Sequence, residues 1–500
     1  MAFWNRKKED KPRTEPRVRM FDAAQYKTNL DMGETLSINQ DILGGLNTIR
    51  RRARNLVANT GYAAGIIINL KNNIIGARGI TLTCQAKNSA GELDDALNDL
   101  VEDEWELWGW LGNCDVTGKL DWVKLQELAL TTTATDGESL FLIRRGKRFG
   151  RYMMQLDMLP IDNLDENYFA ISSRGNVIYQ GVEIDEYGKP LYYHIWQHNR
   201  LDNRLYVSQE NRRLEIPAYD IIHLFDPVSP KQVRAISWLV ASMINLHQID
   251  LLQNTELQMA RLATLKQVVY TIDKPEDYQV GDEEIDAAGA IKRDISPGQV
   301  EVLPPGVTPH AIDWASPHSG LADITKTILR SVSSASGISY NAIAKDLESV
   351  NYSSARFGSL EDRVTYQGKQ RWIIGAFHNV VFERWLDVQL INDAFLLSED
   401  KYDEILKTAK WNPRGFQAID PDKEAKANAL DLFLGVKTRS DICAERGQDY
   451  EEVLQEAVQE EKMRVAAYKA AGLELPPNSV QSVPIEVAKI QTEGMLQNAE

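Results

Sequence analysis

Apolar and polar positions follow two different periods along this chain, and the changes between them mark its parts. From Asp41 the period is helical. Asn47 to Asn59 carries Arg50, Arg51, Arg52 and Arg54, and Tyr62 to Ile75 spaces Ile66, Ile67, Leu70 and Ile74 as a helix face before Gly76 and Gly79 stop it. Further helices are predicted from about Leu93 to Trp110 and from Trp122 to Thr135, the latter N-capped by Asp121. Between Ser139 and Phe225 the pattern shortens to strand-like runs, among them Leu140 to Ile143, Val177 to Tyr179 and Leu191 to Ile195. Turn residues such as Asp185-Glu186-Tyr187-Gly188-Lys189-Pro190 separate them. Residues 41 to about 230 therefore read as one α+β domain.

The helical period then returns on a larger scale. Ser237 to Leu265 contains neither Gly nor Pro, and a continuous helix of that length would be roughly 43 Å long. Lys266 to Pro317 breaks into a strand at Val268–Ile272, an acidic loop at Asp282-Glu283-Glu284 and a Pro/Gly stretch around Leu303 to Gly306. Leu321 to Ser336 is helical again, ending at Gly337 as the C′ residue. Two long helices thus flank a small inserted module. A third helical tract starts near Tyr352, carries Phe357, Leu360, Val364 and Trp372 on one face, and runs to Asp393 with a kink expected at Gly368 or Gly375. The C-terminal hundred residues are helical and polar, with Ser440 as a candidate N-cap and a run from Asp449 to Ala471 stopped by Gly472.

Composition narrows the class. The 500 residues are 43% hydrophobic and 26% charged with 11 Trp, which fits a folded chain of several domains. Uninterrupted apolar runs such as Ile66-Ile67-Ile68 fall far short of the roughly 18–20 residues of a membrane span, and the charged N-terminus lacks a signal peptide's apolar stretch, so neither membrane insertion nor secretion is expected. Cys84, Cys114 and Cys443 have neither disulfide-framework nor zinc-site spacing. Seven of the fifteen positions from Asn5 to Arg19 are Arg or Lys, so residues 1–40 read as a solvated basic arm. The net charge of −16 opposes wrapping by nucleic acid, yet it suits a surface along which DNA slides without being gripped.

No P-loop, G-x-S-x-G or H-E-x-x-H pattern occurs. His194 and His198 are the one histidine pair four residues apart, and they fall on a strand and its exit, where that spacing does not converge on a metal. Asp157 with Asp162 could serve acid/base hydrolysis, but among 72 acidic residues such proximity is ordinary. A helix-to-strand turn explains Asp136-Gly137-Glu138 as well as a catalytic role does. Tyr340 to Asp346 and Asn351 to Arg356 mix hydrogen-bonding groups with cations between two helices. They suit either a capped connection or a loop that touches a polyanion.

At these residues the sequence resembles the lambda-type family of phage portal proteins. The resemblance is carried by Arg50-Arg51-Arg52-Ala53-Arg54-Asn55-Leu56 with Gly61 to Gly65, by Asp136-Gly137-Glu138, by Ile216 to Phe225 continuing into Gln232 to Leu239, and by Asn351 to Arg356. Ala235 stands where the family usually has Gly. The resemblance implies an α+β portal-type fold assembled as a dodecameric ring, with an arm (1–40), an α+β wing (41–236), paired stem helices (237–265 and 318–337) and a small α/β clip (266–317). It further implies a tunnel loop (338–356), a long connecting helix (357–400) and a helical crown with the C-terminus (401–500).

It also implies a channel at the capsid vertex for DNA packaging and ejection, in a protein assembled in the host cytoplasm and resident in the virion. Lys345, Asn351 and Arg356 become candidate contacts for double-stranded DNA. Expected partners are the terminase large subunit, the major capsid and scaffold proteins, and head-completion or tail adaptor proteins. No cofactor, metal or catalytic residue is expected. A different head-tail adaptor ring and a carboxylate hydrolase stand as the other readings.

Overall fold

The computed structural model describes residues 37–88, 91–198, 212–264, 268–272, 307–311, 318–346, 348, 352–392, 399–416, 421–448 and 450–471. The chain divides into two compact units. The first gathers Met1–Leu70, Ala129–Leu142 and Met158–Thr365, the second Lys71–Leu128, Ile143–Asp157 and Tyr366–Glu500.

In the first unit the helix Ile38–Asn59 starts at Ser37, whose hydroxyl accepts from the Gln40 backbone N–H at 3.4 Å. It buries Ile42, Leu46, Ile49, Ala53 and Leu56, spaced three or four residues apart. A five-stranded antiparallel meander follows in chain order, formed by Ala170–Ile171, Val177–Tyr179, Val182–Ile184, Pro190–Trp196 and Arg213–Pro217. Strand Glu138–Arg145 pairs antiparallel with Ile221–Phe225, from Glu138 opposite Phe225 to Leu142 opposite Ile221. Leu140, Leu142, Ile161, Leu164, Val182, Tyr193, Ile195, Ile221 and Val233 form the core beneath. The expected turn at Asp185 forms, with the Asp185 N–H donating to the Lys189 carbonyl at 3.0 Å.

The first long helix is shorter than its sequence suggests. It spans Met243–Thr264, 22 residues or about 33 Å, after a tight turn at Val240–Ser242. Residues 237–239 are held out of it because Ser237 Oγ donates to the Ala134 carbonyl at 3.1 Å while accepting from Leu239 N–H at 3.2 Å. Its partner helix is His318–Ser336, ending at Gly337 with φ +68°. Between them, Val268–Ile272 pairs antiparallel with Val307–Ala311, while the acidic stretch 282–284 and the Pro/Gly stretch 303–306 lie outside the described residues.

Asp121, in the second unit, caps the helix Trp122–Asp136 as expected, accepting from Lys124 N–H at 2.7 Å, and the residues of this helix from Ala129 on belong to the first unit. The third helical tract is Tyr352–Ile373, a π-helical turn Ile374–His378 at Gly375, then Asn379–Ile391. Its residues to 365 belong to the first unit. Phe357, Leu360 and Val364 share a face but are 72%, 44% and 70% exposed, and the buried positions are Asp362, Tyr366, Gln370 and Ile373. Thr81–Thr83 pairs with Lys410–Asn412. Helices Asp95–Gly109, Glu399–Thr408, Pro421–Phe433, Arg439–Glu445 and Tyr450–Ala471 also belong to this unit. Arg439–Glu445 is capped by Thr438 in a capping box with Asp441, and not by Ser440, because Thr438 has an acidic residue three positions on and Ser440 already lies inside the helix.

The core of this unit is aromatic. The Trp105 ring stacks on Trp108 at 4.7 Å and takes the edges of Trp122, Phe382, Trp385 and Trp411 at 5.3–5.8 Å. Each such pair contributes about 0.5–1.5 kcal/mol beyond the area it buries. No helix among the described residues is long and apolar enough to cross a membrane.

Candidate functional site

Three of the sequence motifs that lie far apart in the chain meet at Glu138. Gly137 makes this possible. It carries φ +94°, and a Cβ there would lie 2.3 Å from the Ile236 carbonyl carbon, so only glycine lets the helix Trp122–Asp136 turn directly into the strand that Glu138 begins. On the facing helix, Asn47, Arg50 and Arg54 lie at i, i+3 and i+7 and so share one face.

The Glu138 side chain is fully buried, and its oxygens are saturated. Oε1 accepts from Arg234 Nη2 at 2.5 Å, Arg50 Nη2 at 2.7 Å and Arg234 Nε at 3.0 Å. Oε2 accepts from Arg234 Nε at 3.0 Å and Ala235 N–H at 3.2 Å, and pairs with His223 Nε2 at 2.8 Å. Arg234 Nη1 donates to the Gln180 carbonyl at 3.0 Å. A second layer joins this one. Arg54 grips Asp136 with Nε at 2.8 Å and Nη2 at 2.7 Å, and donates from Nη1 to Asp162 at 2.7 Å, while Arg50 Nη1 reaches the same Asp162 at 3.3 Å. Three guanidinium groups thus face three carboxylates.

The electrostatics follow from that balance. Burial alone would raise the Glu138 carboxyl, but the Arg234 charge, the His223 hydrogen bond and Arg50 hold it well below the usual carboxylate range. Burial lowers His223 despite its Glu138 partner, so the ring is neutral at pH 7. Burial would lower Arg54, and its hydrogen bonds and charge contacts with Asp136 and Asp162 more than reverse this. A carboxylate with every lone pair occupied and a depressed pKa is a poor general base. Asp157 and Asp162 are likewise committed, Asp157 to Arg144 at 2.7 Å and Asp162 to Arg50 and Arg54. The cluster is built to hold segments in place, and it offers no free acid/base pair.

The second sequence-predicted site is only partly described. Lys345 is exposed, follows the short helix Tyr340–Ala344 and adopts the left-handed conformation at φ +56°. Arg356 is exposed, but it lies within the helix Tyr352–Ile373 and not on a loop. Asn351 lies outside the described residues. The sequence reading missed the anchor of this connection, Asp362. Its carboxylate accepts from Ser339 N–H at 2.6 Å and Ser339 Oγ at 2.7 Å, and Tyr340 Oη donates to Asp346 at 2.9 Å.

Comparison with known proteins accords with these motifs. The family model "Phage portal protein, lambda family" matches residues 29–370, a span that contains every residue of the Glu138 cluster. The probable portal protein of Halomonas phage phiHAP-1 is 33% identical over 409 residues, covering 81% of this chain and 78% of that one. Portal protein B of Escherichia phage lambda is 23% identical over 490 residues, 88% of this chain and 87% of its own. Among solved structures, a chain from the neck of an empty gene transfer agent particle aligns over 79% of this chain and 93% of its own, at 13% identity and a TM-score of 0.41. With the family model matched over residues 29–370, the chain belongs to the lambda family of phage portal proteins.

Proposed function

We propose that this portal protein acts as one subunit of a closed ring at the capsid vertex, through which double-stranded DNA is packaged and ejected. Family membership over residues 29–370 carries this reading. The helices Met243–Thr264 and His318–Ser336, flanking a strand pair, support a stem with a clip at its end. On this reading the wing is 41–236, the stem 237–265 and 318–337 with its helix starting at 243, the clip 266–317, the tunnel loop 338–356 with helical turns at Tyr340–Ala344 and from Tyr352 on, the connection 357–400 and the crown 401–500. The net charge of −16 suits a channel wall that repels DNA, while Lys345, Asn351 and Arg356 supply sequence-independent, salt-sensitive phosphate contacts. The packaging force comes from the terminase large subunit docked on the clip, replaced there later by head-completion and tail adaptor proteins. The capsid and scaffold proteins hold the ring in the shell.

Native mass spectrometry with negative-stain class averages tests the assembly. Closed rings of about twelve copies with a central hole are expected, as a heterologous interface that closes requires. A protein that stays monomeric or dimeric under all assembly conditions would overturn the reading. Replacing Lys345 and Arg356 together by alanine should then weaken retention of packaged DNA without altering ring formation, and unchanged packaging and retention would remove these residues from the channel contact.

A further inference from the structure

We infer that Glu183, His194 and Glu215 form a binding site for a transition-metal dication of the zinc type. The site needs nothing from the portal reading. It lies on one face of the five-stranded sheet, where Glu183 stands opposite Tyr192 and His194 opposite Glu215, so the two-residue period of the strands brings Glu183, Tyr192, His194 and Glu215 to the same side. One ligand atom from each of the three residues lies within 4.8 Å of the others. The histidine spacing visible in sequence, His194 with His198, is not the arrangement formed, since His194 converges instead with carboxylates from the two neighbouring strands.

Three features go beyond a chance cluster of acids. His194 is 6% exposed, and its Nε2 is buried without a hydrogen-bond partner. A buried polar atom left without a partner is destabilising, and a bound metal would satisfy it. Second, Nε2 lies 3.6 Å from Glu183 Oε2, too long for a hydrogen bond but close to the roughly 3.3–3.6 Å that separates neighbouring ligands bonded to tetrahedral zinc at 2.0–2.2 Å. Third, Glu183 is fully buried and already oriented. Its Oε1 accepts from Ser172 Oγ and Asn176 Nδ2, each at 2.8 Å, which leaves Oε2 directed at His194 as the supporting shell of a metal ligand would.

A side-chain cation holds the place at present. Arg174 donates to Glu183 Oε2 at 3.2 Å and to Glu215 Oε1, with its guanidinium 3.9 Å from the Tyr192 ring centre. It neutralises both carboxylates but makes no hydrogen bond to His194 Nε2. Its side chain is 40% exposed, so it can swing into solvent. A dication in its place would take the imidazole nitrogen and both carboxylates, with water as the fourth ligand. Mixed imidazole and carboxylate donors favour Zn²⁺ over Mg²⁺ or Ca²⁺. The other nearby guanidinium, Arg213, is engaged with Asp165 at 2.5 Å and lies over the Tyr168 ring, so it need not move. Bound metal would pin three adjacent strands and make the unit's stability depend on zinc concentration.

The test is zinc titration of the full-length chain after chelator treatment and dialysis, read by calorimetry and by melting temperature. One zinc per chain with a rise in melting temperature is expected. Glu215→Gln, at a partly exposed position where folding is not at risk, and His194→Ala should each weaken binding at least about tenfold. Arg174→Ala should tighten it, because it removes the resident competitor. Equal affinity in wild type and Glu215→Gln, or no gain in Arg174→Ala, would overturn the site and assign any bound zinc to other surface groups.

Discussion

Around Glu138 the first unit gathers three arginines against three carboxylates, whereas the second unit packs Trp105, Trp108, Trp122, Trp385 and Trp411 with Phe377, Phe382 and His378. The two solutions do different work. Replacing a buried ion cluster by a well-packed apolar core of the same volume is often neutral or stabilising, whereas removing one partner from the cluster leaves a buried charge uncompensated and is strongly destabilising. Here the cluster fixes helix Ile38–Asn59, the Gly137 turn and the segment around Arg234 to one another. Rings attract through area and loose edge-to-face preferences, so the second unit gains bulk stability with weaker demands on geometry.

The sharpest way to break this contrast is Glu138→Gln. The amide keeps the size but strips the charge, leaving Arg50 and Arg234 buried without their shared counter-ion. The loss should be about 3–5 kcal/mol by chemical denaturation. A loss below about 1 kcal/mol would mean that water or a neighbouring carboxylate can take over, and that the cluster is not the fixed point proposed for it.

Acid separates the two cores differently. Burial pushes the His378 ring down to about 4, partly opposed by its contact with the Ile373 carbonyl at 3.2 Å, and Nε2 has no hydrogen-bond partner. The native state therefore keeps this ring neutral while the unfolded state takes up a proton below the ordinary 6.5. Stability from this group is complete above about pH 6.5 and declines as pH falls toward 4, by about 3 kcal/mol in all. His223 in the first unit shifts in the same direction, and Glu138, held below its ordinary value, adds a loss only under about pH 4.5. His378→Phe should flatten the decline between pH 6.5 and 4 reported by the fluorescence of Trp122 and Trp411, which face the ring. An unchanged slope would place the acid sensitivity elsewhere.

Much of this was legible from residue order, and what was not has physical causes. The helices, the Asp121 cap, the Asp185 turn and the Gly337 stop all follow from local rules, and the structure forms them. The motifs themselves stood out, but their convergence did not, because Glu138 meets Arg50 across 88 residues and Arg234 across 96. The helix read from Ser237 starts at Met243 because a hydroxyl bonded to a distant carbonyl, a tertiary event, outweighs a run without Gly or Pro. Periodicity put Phe357, Leu360 and Val364 on one face but could not say that the folded chain leaves that face uncovered. Thr438 was recoverable, since Thr-x-x-Asp is the sequence signature of a capping box.

The smallest expected effect tests where the ionic core ends. Arg54 binds Asp136 with two parallel hydrogen bonds and Asp162 with a third, yet its side chain is 38% exposed against 4% for Arg50. Solvent screens the pairing and can reach Asp136 and Asp162 once the arginine is gone, so Arg54→Gln should cost about 1 kcal/mol, well under the loss at Glu138. Added salt should shrink the difference between wild type and variant, because exposed pairs are screened and buried ones much less so. If Arg54→Gln instead matches Glu138→Gln in size and is insensitive to salt, the two layers act as one buried unit, and the first unit's dependence on charge extends to the outer end of its helix.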